Sequence, residues 1–230
     1  MIKNSHWSDF SDINVWIFDL DNTLYPAHCN LFSQIDQKMG EFVAAFLKTD
    51  LAEAKKIQKQ YFHKYGTTLN GLMTCHDMHP DDFLQFVHDI DVSNLGKAER
   101  LNDALTELEG RKIIFTNGSE DHANNVSKQL GIEHHFDDVF DIKKSDFIPK
   151  PEISVYQRLI TELDINPSQA VFFEDMAKNL KPAHELGMTT VWIPNDEHWS
   201  RETSEGAHIH HIAEDLPAWL HALLETRQSA

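Results

Sequence analysis

Apolar residues occur along the chain in short runs, and the segments between most of these runs repeat apolar positions with the spacing of a helix. Strands alternating with helices in this way are typical of a parallel sheet. The runs are Val15 to Leu20, Ile113 to Asn117, Val139 to Ile142, Ala170 to Phe173 and Thr190 to Ile193. Right-handed crossovers between them predict an α/β fold, a doubly wound and mostly parallel sheet with a Rossmann-like core.

The interval between the first two strands is much longer than the others. Roughly ninety residues separate Thr23 from Thr116, far more than a single crossover helix needs. Apolar residues keep helical spacing through much of this interval, at 31–47, 55–65 and 81–90. We therefore predict an all-helical cap over residues 27–93, inserted into a discontinuous core domain. The two parts of that core are residues 1–26 and 94–230.

The first apolar run ends in two carboxylates and a hydroxyl, from Asp19, Asp21 and Thr23. Side chains alternate along a strand, so Asp19 and Asp21 point the same way. Two like charges this close raise one pKa unless a cation lies between them, and carboxylate oxygens favour Mg²⁺. One carboxylate can then attack phosphorus while the other exchanges protons. Taken alone, the motif fits an ordinary turn equally well.

Polar residues also follow the second run. Thr116, Asn117 and Gly118 offer a hydroxyl, an amide and a glycine beside which backbone N–H groups can approach an anion, as in a phosphate cradle. Ser119 is better explained as the N-cap of the next helix. Lys150 precedes a proline, which places it in a loop, where its ammonium can neutralise a phosphate and a carboxylate. A solvated surface lysine fits that position equally well.

The fourth run ends in Glu174 and Asp175, which adds acidic groups to the same edge of the predicted sheet. Ligands of open α/β sheets bind at the carboxyl ends of the strands, where all of these clusters lie. We predict a Mg²⁺ ion held by Asp19, Asp175 and the backbone carbonyl of Asp21, with Glu174 nearby.

Composition limits the possible partners. The chain has 230 residues and a formal charge of -17, from 37 acidic and 20 basic residues. That charge excludes nucleic acid as a partner, and no segment resembles a signal peptide or a membrane span. Cys29 and Cys75 lack metal-ligand spacing, which favours reduced thiols. We expect a cytoplasmic protein whose partner is a small phosphorylated metabolite.

Histidines are numerous, and the densest group is His208, His210 and His211. Ile209 and Ile212 alternate with them, which favours a structural role near the last sheet element. A zinc site would need ligands from elsewhere in the chain. The function of this stretch stays open.

The four clusters, in this order, resemble those of the haloacid-dehalogenase-like hydrolases, and the resemblance covers nearly the whole chain. It implies that Asp19 is the nucleophile, forming an aspartyl-phosphate, and that Asp21 is the acid/base. Thr116 and Lys150 would hold the phosphoryl oxygens, and Asp175 would bind Mg²⁺. An acid at position 21 favours phosphatases over dehalogenases, because a leaving alkoxide needs a proton.

Several separated segments resemble the pyrimidine 5'-nucleotidase-like branch, at 18–26, 65–73, 87–91 and 173–191. The resemblance points to Tyr25, Asn70 and His88 as substrate candidates in or beside the cap. Tyr25 lies where cap and core join and could stack on a base or pack as a hinge. Asn70 stands where the branch implies a basic residue. Asn179 stands where many members have a further acid, and it can orient a metal-bound water.

We therefore expect a Mg²⁺-dependent phosphomonoester hydrolase, with nucleoside 5'-monophosphates as the first substrates to test. A sugar-phosphate phosphatase or a phosphomutase is the alternative, because the core residues do not separate hydrolysis from transfer back to a sugar. A binding protein without turnover is a further alternative, disfavoured by the intact site. Whether the protein is a monomer or a homodimer stays open.

Overall fold

A computed structural model describes residues 5–227, and these residues form a parallel sheet of six strands. The strands are β1 (Val15–Phe18), β2 (Arg111–Phe115), β3 (Asp138–Phe140), β4 (Ala170–Glu174), β5 (Thr189–Trp192) and β6 (His211–Ile212). Their order across the sheet is β3-β2-β1-β4-β5-β6, and each neighbouring pair is parallel. The predicted sheet is confirmed, and β6 extends it beyond the five apolar runs.

Helices cover both faces of this sheet and fill the long first interval. They are α1 (Leu31–Leu47), α2 (Leu51–Tyr65), α3 (Thr68–His76), α4 (Pro80–Val87), α5 (Glu99–Glu107), α6 (Glu120–Leu130), α7 (Ile153–Glu162), α8 (Ala177–Glu185) and α9 (Leu216–Arg227). None of them, within the part of the chain described, is both long and apolar enough to cross a bilayer.

Strand residues face alternate sides of the sheet, which explains why the central strand β1 is a continuous apolar run. Trp16 and Phe18 of β1 belong to the cluster formed with α5, α6 and α9. Val15 and Ile17 belong to the cluster on the opposite face, formed with α7 and α8. A sheet buried on both sides needs apolar residues at every position, as doubly wound folds have.

Five helices, α1 to α5, lie between β1 and β2, and the described residues of this interval contain no strand. The last of them, α5, packs in the core, which leaves α1 to α4. They share a hydrophobic cluster of their own, to which the core contributes Ile142. The sequence pattern did not indicate α3, which is short and weakly amphipathic. Gly71 of α3 lets it approach α2, because a Cβ there would come within 2.4 Å of Tyr61. The boundaries of cap and core at 26/27 and 93/94 stay a prediction.

Strand register brings the polar clusters together at one edge. Phe18 pairs with Ile114 on one side and with Phe173 on the other, so Asp19 emerges between the ends of β2 and β4. Strand order reverses at β1, which is the position where open α/β sheets bind ligands. Asn22 has a φ of 62°, a left-handed conformation that asparagine tolerates and that turns the chain away from the sheet.

Candidate active site

Asp19 and Lys150 form a buried ion pair at the centre of this edge. Lys150 is 3% exposed, and its ammonium donates to Asp19 Oδ1 at 2.7 Å, to Glu174 Oε2 at 2.6 Å and to the Phe115 carbonyl at 2.9 Å. Burial by itself lowers the pKa of Lys150, but the two carboxylates outweigh it and hold that pKa above its ordinary value. Lys150 is therefore a charged component of the site and not a surface lysine.

Asn117 holds the loop that carries this lysine. Its Oδ1 accepts from the Lys150 backbone N–H at 2.9 Å, and its Nδ2 donates to the Lys150 carbonyl at 3.4 Å. The side-chain amide of Asn117, predicted to bind phosphate, is thus used to position Lys150. All three N–H donors of the Lys150 ammonium are also engaged, so a phosphoryl oxygen would have to share one of them.

Thr116 and Gly118 lie beside Asp19 and form part of the cavity wall. The Gly118 N–H donates to Thr116 Oγ1 at 2.9 Å, which leaves the hydroxyl proton of Thr116 for another acceptor. A Cβ at Gly118 would lie 3.2 Å from the His122 ring, closer than an ordinary contact, and 3.6 Å from His88, which is ordinary van der Waals contact. The placement of Thr116 and Gly118 is compatible with the predicted contact to a phosphoryl group.

Three buried carboxylates, from Asp19, Glu174 and Asp175, each offer an oxygen within 4.8 Å of the others. Burial and the charge of Glu174 raise the pKa of Asp19 to about 7, despite the ammonium of Lys150. Burial, with Glu174 and Asp19, likewise raises the pKa of Asp175 well above its ordinary value. The single positive charge of Lys150 does not balance three carboxylates. A group of carboxylate oxygens with excess negative charge is the kind of site that Mg²⁺ binds.

The oxygens of these acids are not equivalent. Glu174 uses Oε2 on Lys150 and Oε1 on the Met176 N–H at 3.1 Å, so it mainly balances the lysine. Asp175 Oδ2 accepts from Asn195 Nδ2 at 2.9 Å and from Asn22 Nδ2 at 3.5 Å. The carboxylate of Asp21 lies outside the acidic group, so a ligand from Asp21 would have to be its backbone carbonyl, as predicted.

Asn179 also faces this site. Its side chain is buried, and Oδ1 has no hydrogen-bond partner among residues 5–227. A buried, unsatisfied acceptor costs free energy unless a water or another donor reaches it. Because Asn179 lines the cavity next to Asp175, its position agrees with the predicted role of orienting a metal-bound water.

Asp21 has a different environment from Asp19. Its Oδ1 accepts from the Tyr25 hydroxyl at 2.6 Å and from His122 Nε2 at 2.9 Å. Burial by itself raises the pKa of Asp21, but His122 and then Tyr25 outweigh it, so that pKa lies below its ordinary value. Two donors on one oxygen fix the orientation of the carboxylate.

The cap candidates lie in three different environments. His88 lines the cavity and stacks on His122, with ring centroids 4.4 Å apart. Tyr25 is fully buried behind Asp21, outside the cavity lining, which favours the packing role over stacking on a base. Asn70 also lies outside the lining, and its amide donates to the Tyr65 carbonyl at 2.9 Å within the cap.

Sequence reasoning missed several residues of the site. His122 follows the N-cap Ser119 and lies one helical turn before the buried Val126, so a polar residue on an apolar face was an available signal. Asn195 contacts Asp175 from a loop after β5, and nothing in its local sequence marks it. The aromatic residues that line the cavity were likewise missed as site residues, and they are Phe32, Phe62, Phe83 and Trp199.

The histidine stretch at 208–211 packs at the sheet edge away from these acids. His210 Nδ1 lies 3.1 Å from both the backbone N–H and the hydroxyl of Thr190. On the other side of the same ring, His210 Nε2 lies 3.1 Å from Nδ1 of His184. His211 belongs to β6. These contacts join β6 to β5 and α8, in agreement with a structural role.

Comparison with known proteins places this geometry in a family. Residues 13–187 match the model of the haloacid dehalogenase-like hydrolases. Phosphate metabolism protein 8 of Saccharomyces cerevisiae is 28% identical over 195 residues, which are 77% of this chain and 60% of the yeast protein. The glyceraldehyde 3-phosphate phosphatase of Methanocaldococcus jannaschii is 26% identical over 212 residues, covering 82% of this chain and 88% of that enzyme.

Solved structures show the same fold. A CbbY variant of Rhodobacter sphaeroides in complex with xylulose 1,5-bisphosphate superposes with a TM-score of 0.62 at 17% identity, covering 90% of this chain and 99% of that one. A HAD phosphatase of Thermococcus onnurineus gives a TM-score of 0.56 at 19% identity, covering 94% and 97%. The matched family model spans most of the chain and includes every acid of the site, and the protein belongs to the haloacid dehalogenase-like hydrolases.

Proposed function

We propose that this protein is a Mg²⁺-dependent phosphomonoester hydrolase in which Asp19 is the nucleophile. The contact between Asp19 and Lys150 carries this proposal, because the lysine occupies Oδ1 at 2.7 Å. Asp19 Oδ2 has no hydrogen-bond partner among the described residues and is the oxygen that can attack phosphorus. The product of that attack is an aspartyl-phosphate on Asp19, which water then hydrolyses.

Asp21 would exchange the protons of both half-reactions. It lines the same cavity as Asp19, and Oδ1 is held by Tyr25 and His122 while Oδ2 is unbonded within residues 5–227. The approach of an anionic phosphoryl group raises the pKa of a nearby carboxyl, which favours protonation of Asp21 before the ester bond breaks. After donating that proton to the leaving oxygen, the carboxylate can accept one from the attacking water.

The metal would be held by the carboxylates of Asp19 and Asp175 and by the carbonyl of Asp21, with Asn179 orienting a water. When bound, Mg²⁺ supplies the positive charge that lets a phosphate dianion lie next to buried acids. Lys150 would supply the remaining charge through its contact with Asp19, and Thr116 can donate its hydroxyl proton to a phosphoryl oxygen.

Nucleoside 5'-monophosphates are the substrates that the cavity supports best. Beyond Asp19, its walls are mostly apolar, formed by Phe32, Ile35, Met39, Phe62, Leu69, Phe83, Leu84, Val87 and Trp199. A planar base gains free energy by leaving water for such walls and can stack on the aromatic rings. A small sugar would gain less from these apolar walls and would depend on the polar side chains of the lining, such as Thr67, Thr68 and Lys178.

A sugar-phosphate phosphatase or a phosphomutase is the second candidate. Two proteins similar to this chain favour it, one named as a glyceraldehyde 3-phosphate phosphatase and one solved with a sugar bisphosphate. A mutase would need a bisphosphate activator and would return phosphate to a sugar, whereas a phosphatase releases it to water. A binding protein of the same fold would release none.

A phosphate-release screen over nucleotides and sugar phosphates tests the proposal. Purified protein is assayed with Mg²⁺ and with excess EDTA, and Asp19→Asn serves as the nucleophile variant. We expect release from nucleoside monophosphates with Mg²⁺ and none after chelation or from Asp19→Asn. Release that survives either change would refute the mechanism, and preferred turnover of sugar phosphates would favour the second candidate.

A further inference from the structure

The carboxylate of Asp21 is held by two donors on a single oxygen. Tyr25 and His122 both donate to Oδ1, at 2.6 and 2.9 Å, and no described residue bonds to Oδ2. A carboxylate that is free to rotate presents either oxygen to the cavity. Here the two bonds fix which oxygen remains for proton exchange.

Among the described residues, the ring of His122 makes this hydrogen bond and no other. The side chain is 1% exposed, and its Nδ1 is buried without a partner among residues 5–227. A proton on Nδ1 would therefore point at no acceptor, whereas a proton on Nε2 is donated to Asp21. The tautomer that satisfies the most groups is the one that orients the acid/base carboxylate.

His88, from the predicted cap, packs against one face of the His122 ring. The two imidazoles are stacked with an interplanar angle of 8°, and His88 Nδ1 lies 2.9 Å from Ser119 Oγ. Ser119 in turn accepts from the backbone N–H of His122 at 3.3 Å, as the N-cap of α6. Gly118 leaves the space that the stack occupies, because a Cβ there would contact both rings.

We infer that His122 is a positioning residue for Asp21, and that His88 completes its placement when the cap lies against the core. This inference rests on the proposed phosphatase function. His122 donates its Nε2 proton to Oδ1 and keeps it throughout, so the proton that reaches the leaving oxygen comes from Oδ2 of Asp21. Because His88 comes from the cap, alignment of the acid/base depends on the cap being closed.

Leaving-group dependence distinguishes positioning from a general structural role. Release of a nucleoside alkoxide needs a proton from Asp21, whereas p-nitrophenolate is a weak base and leaves without one. The ratio kcat/KM reports only steps up to the first irreversible one, so it isolates this difference from later hydrolysis of the aspartyl-phosphate.

The experiment compares kcat/KM for a nucleoside 5'-monophosphate and for p-nitrophenyl phosphate in His122→Leu, His122→Gln and His88→Ala. For His122→Leu we expect a loss of roughly 10- to 100-fold on the nucleotide and less than about threefold on the aryl ester. Glutamine keeps an N–H donor at similar reach and should restore most of the nucleotide activity. His88→Ala should show the same selective loss at smaller size.

His221→Leu is the matched control, because the His221 ring hydrogen-bonds the Arg100 carbonyl on α5, away from the site. Equal losses of His122→Leu on both substrates, or none, would overturn the inference, as would a failure of glutamine to rescue. If His122→Leu does not fold, His122→Asn, which is too short to reach Asp21, must show the selective loss instead. Absence of phosphate release by the wild type would instead refute the proposed function, and the inference with it.

Discussion

Replacing Lys150 by methionine would measure how much one buried cation contributes to the free energy of unfolding. The ammonium is 3% exposed and contacts Asp19 and Glu174 at 2.7 and 2.6 Å. The same group lies 5.0 Å from the ring of Phe115, a packing contact that a methionine side chain can keep. The substitution therefore removes the charge and its three hydrogen bonds while approximately conserving volume.

The size of the effect follows from the charges left behind. Removing one partner of a buried ion pair costs about 3–5 kcal/mol of folding free energy. Protonation limits this cost, because the pKa of Asp19 is already raised to about 7 with Lys150 present and rises further without it. A carboxyl whose pKa is raised on folding loses its stabilising effect as pH rises through that pKa, so the cost should be larger at pH 8 than at pH 6.

Urea unfolding followed by circular dichroism, with excess EDTA, measures this cost. Lys143→Met is the control, because Lys143 pairs with Asp81 at the surface and should change stability little. Adding Glu174→Gln to Lys150→Met removes one of the unpaired acids and should recover part of the loss. An unfolding midpoint of Lys150→Met equal to that of the wild type, or no recovery in the double variant, would refute this account of the site.

Three further outcomes follow from the same geometry. Burial raises the pKa of Asp19 from 3.8 to about 7, so the metal-free wild type should lose stability as pH rises across that range. The unfolding free energy of Asp19→Asn should depend less on pH. Equal slopes for the two proteins would contradict the raised pKa of Asp19. Mg²⁺ should raise the melting temperature of the wild type, and Asp175→Asn should reduce that increase; an unchanged increase would exclude Asp175 as a ligand. Phe62→Ala should raise KM for a nucleoside monophosphate several-fold, on the order of 0.5 to 1.5 kcal/mol of lost stacking, and leave KM for a triose phosphate unchanged. Equal effects on the two substrates would place the base elsewhere.

The core of the fold was predictable because a strand that is buried on both faces has apolar residues at nearly every position. The run Val15–Phe18 is apolar throughout, and Ala170–Glu174 is apolar up to its last residue, which distinguishes both from the amphipathic helices between them. β6 was not marked in this way, because it has two residues and lies at the edge. The helix α3 was missed for a similar reason, since its nine residues show little contrast between faces.

Residues of the site were likewise predictable where they lie at strand ends, and not predictable where they lie on loops or helix starts. Asp19, Thr116, Glu174 and Asp175 were predictable because they lie at the ends of strands whose register the fold dictates. Their partners come from loops and helix starts, and only the assembled fold brings them close. Asn195 reaches Asp175 across 20 residues of chain, and His122 reaches Asp21 across 101. No spacing rule links residues at such separations, so these contacts had to be observed.

The two aspartates of the first strand end show what the structure adds to the motif. Asp19 lies among acids, and its pKa is raised to about 7, whereas Asp21 accepts from two donors, and its pKa is lowered. A nucleophile must be ionised to attack, so at neutral pH Asp19 needs more positive charge than Lys150 provides, while Asp21 does not. In the proposed mechanism, these opposite environments set different requirements: Asp19 requires a cation in the site to be ionised, whereas Asp21 requires the phosphoryl group to raise its pKa before it can act as an acid.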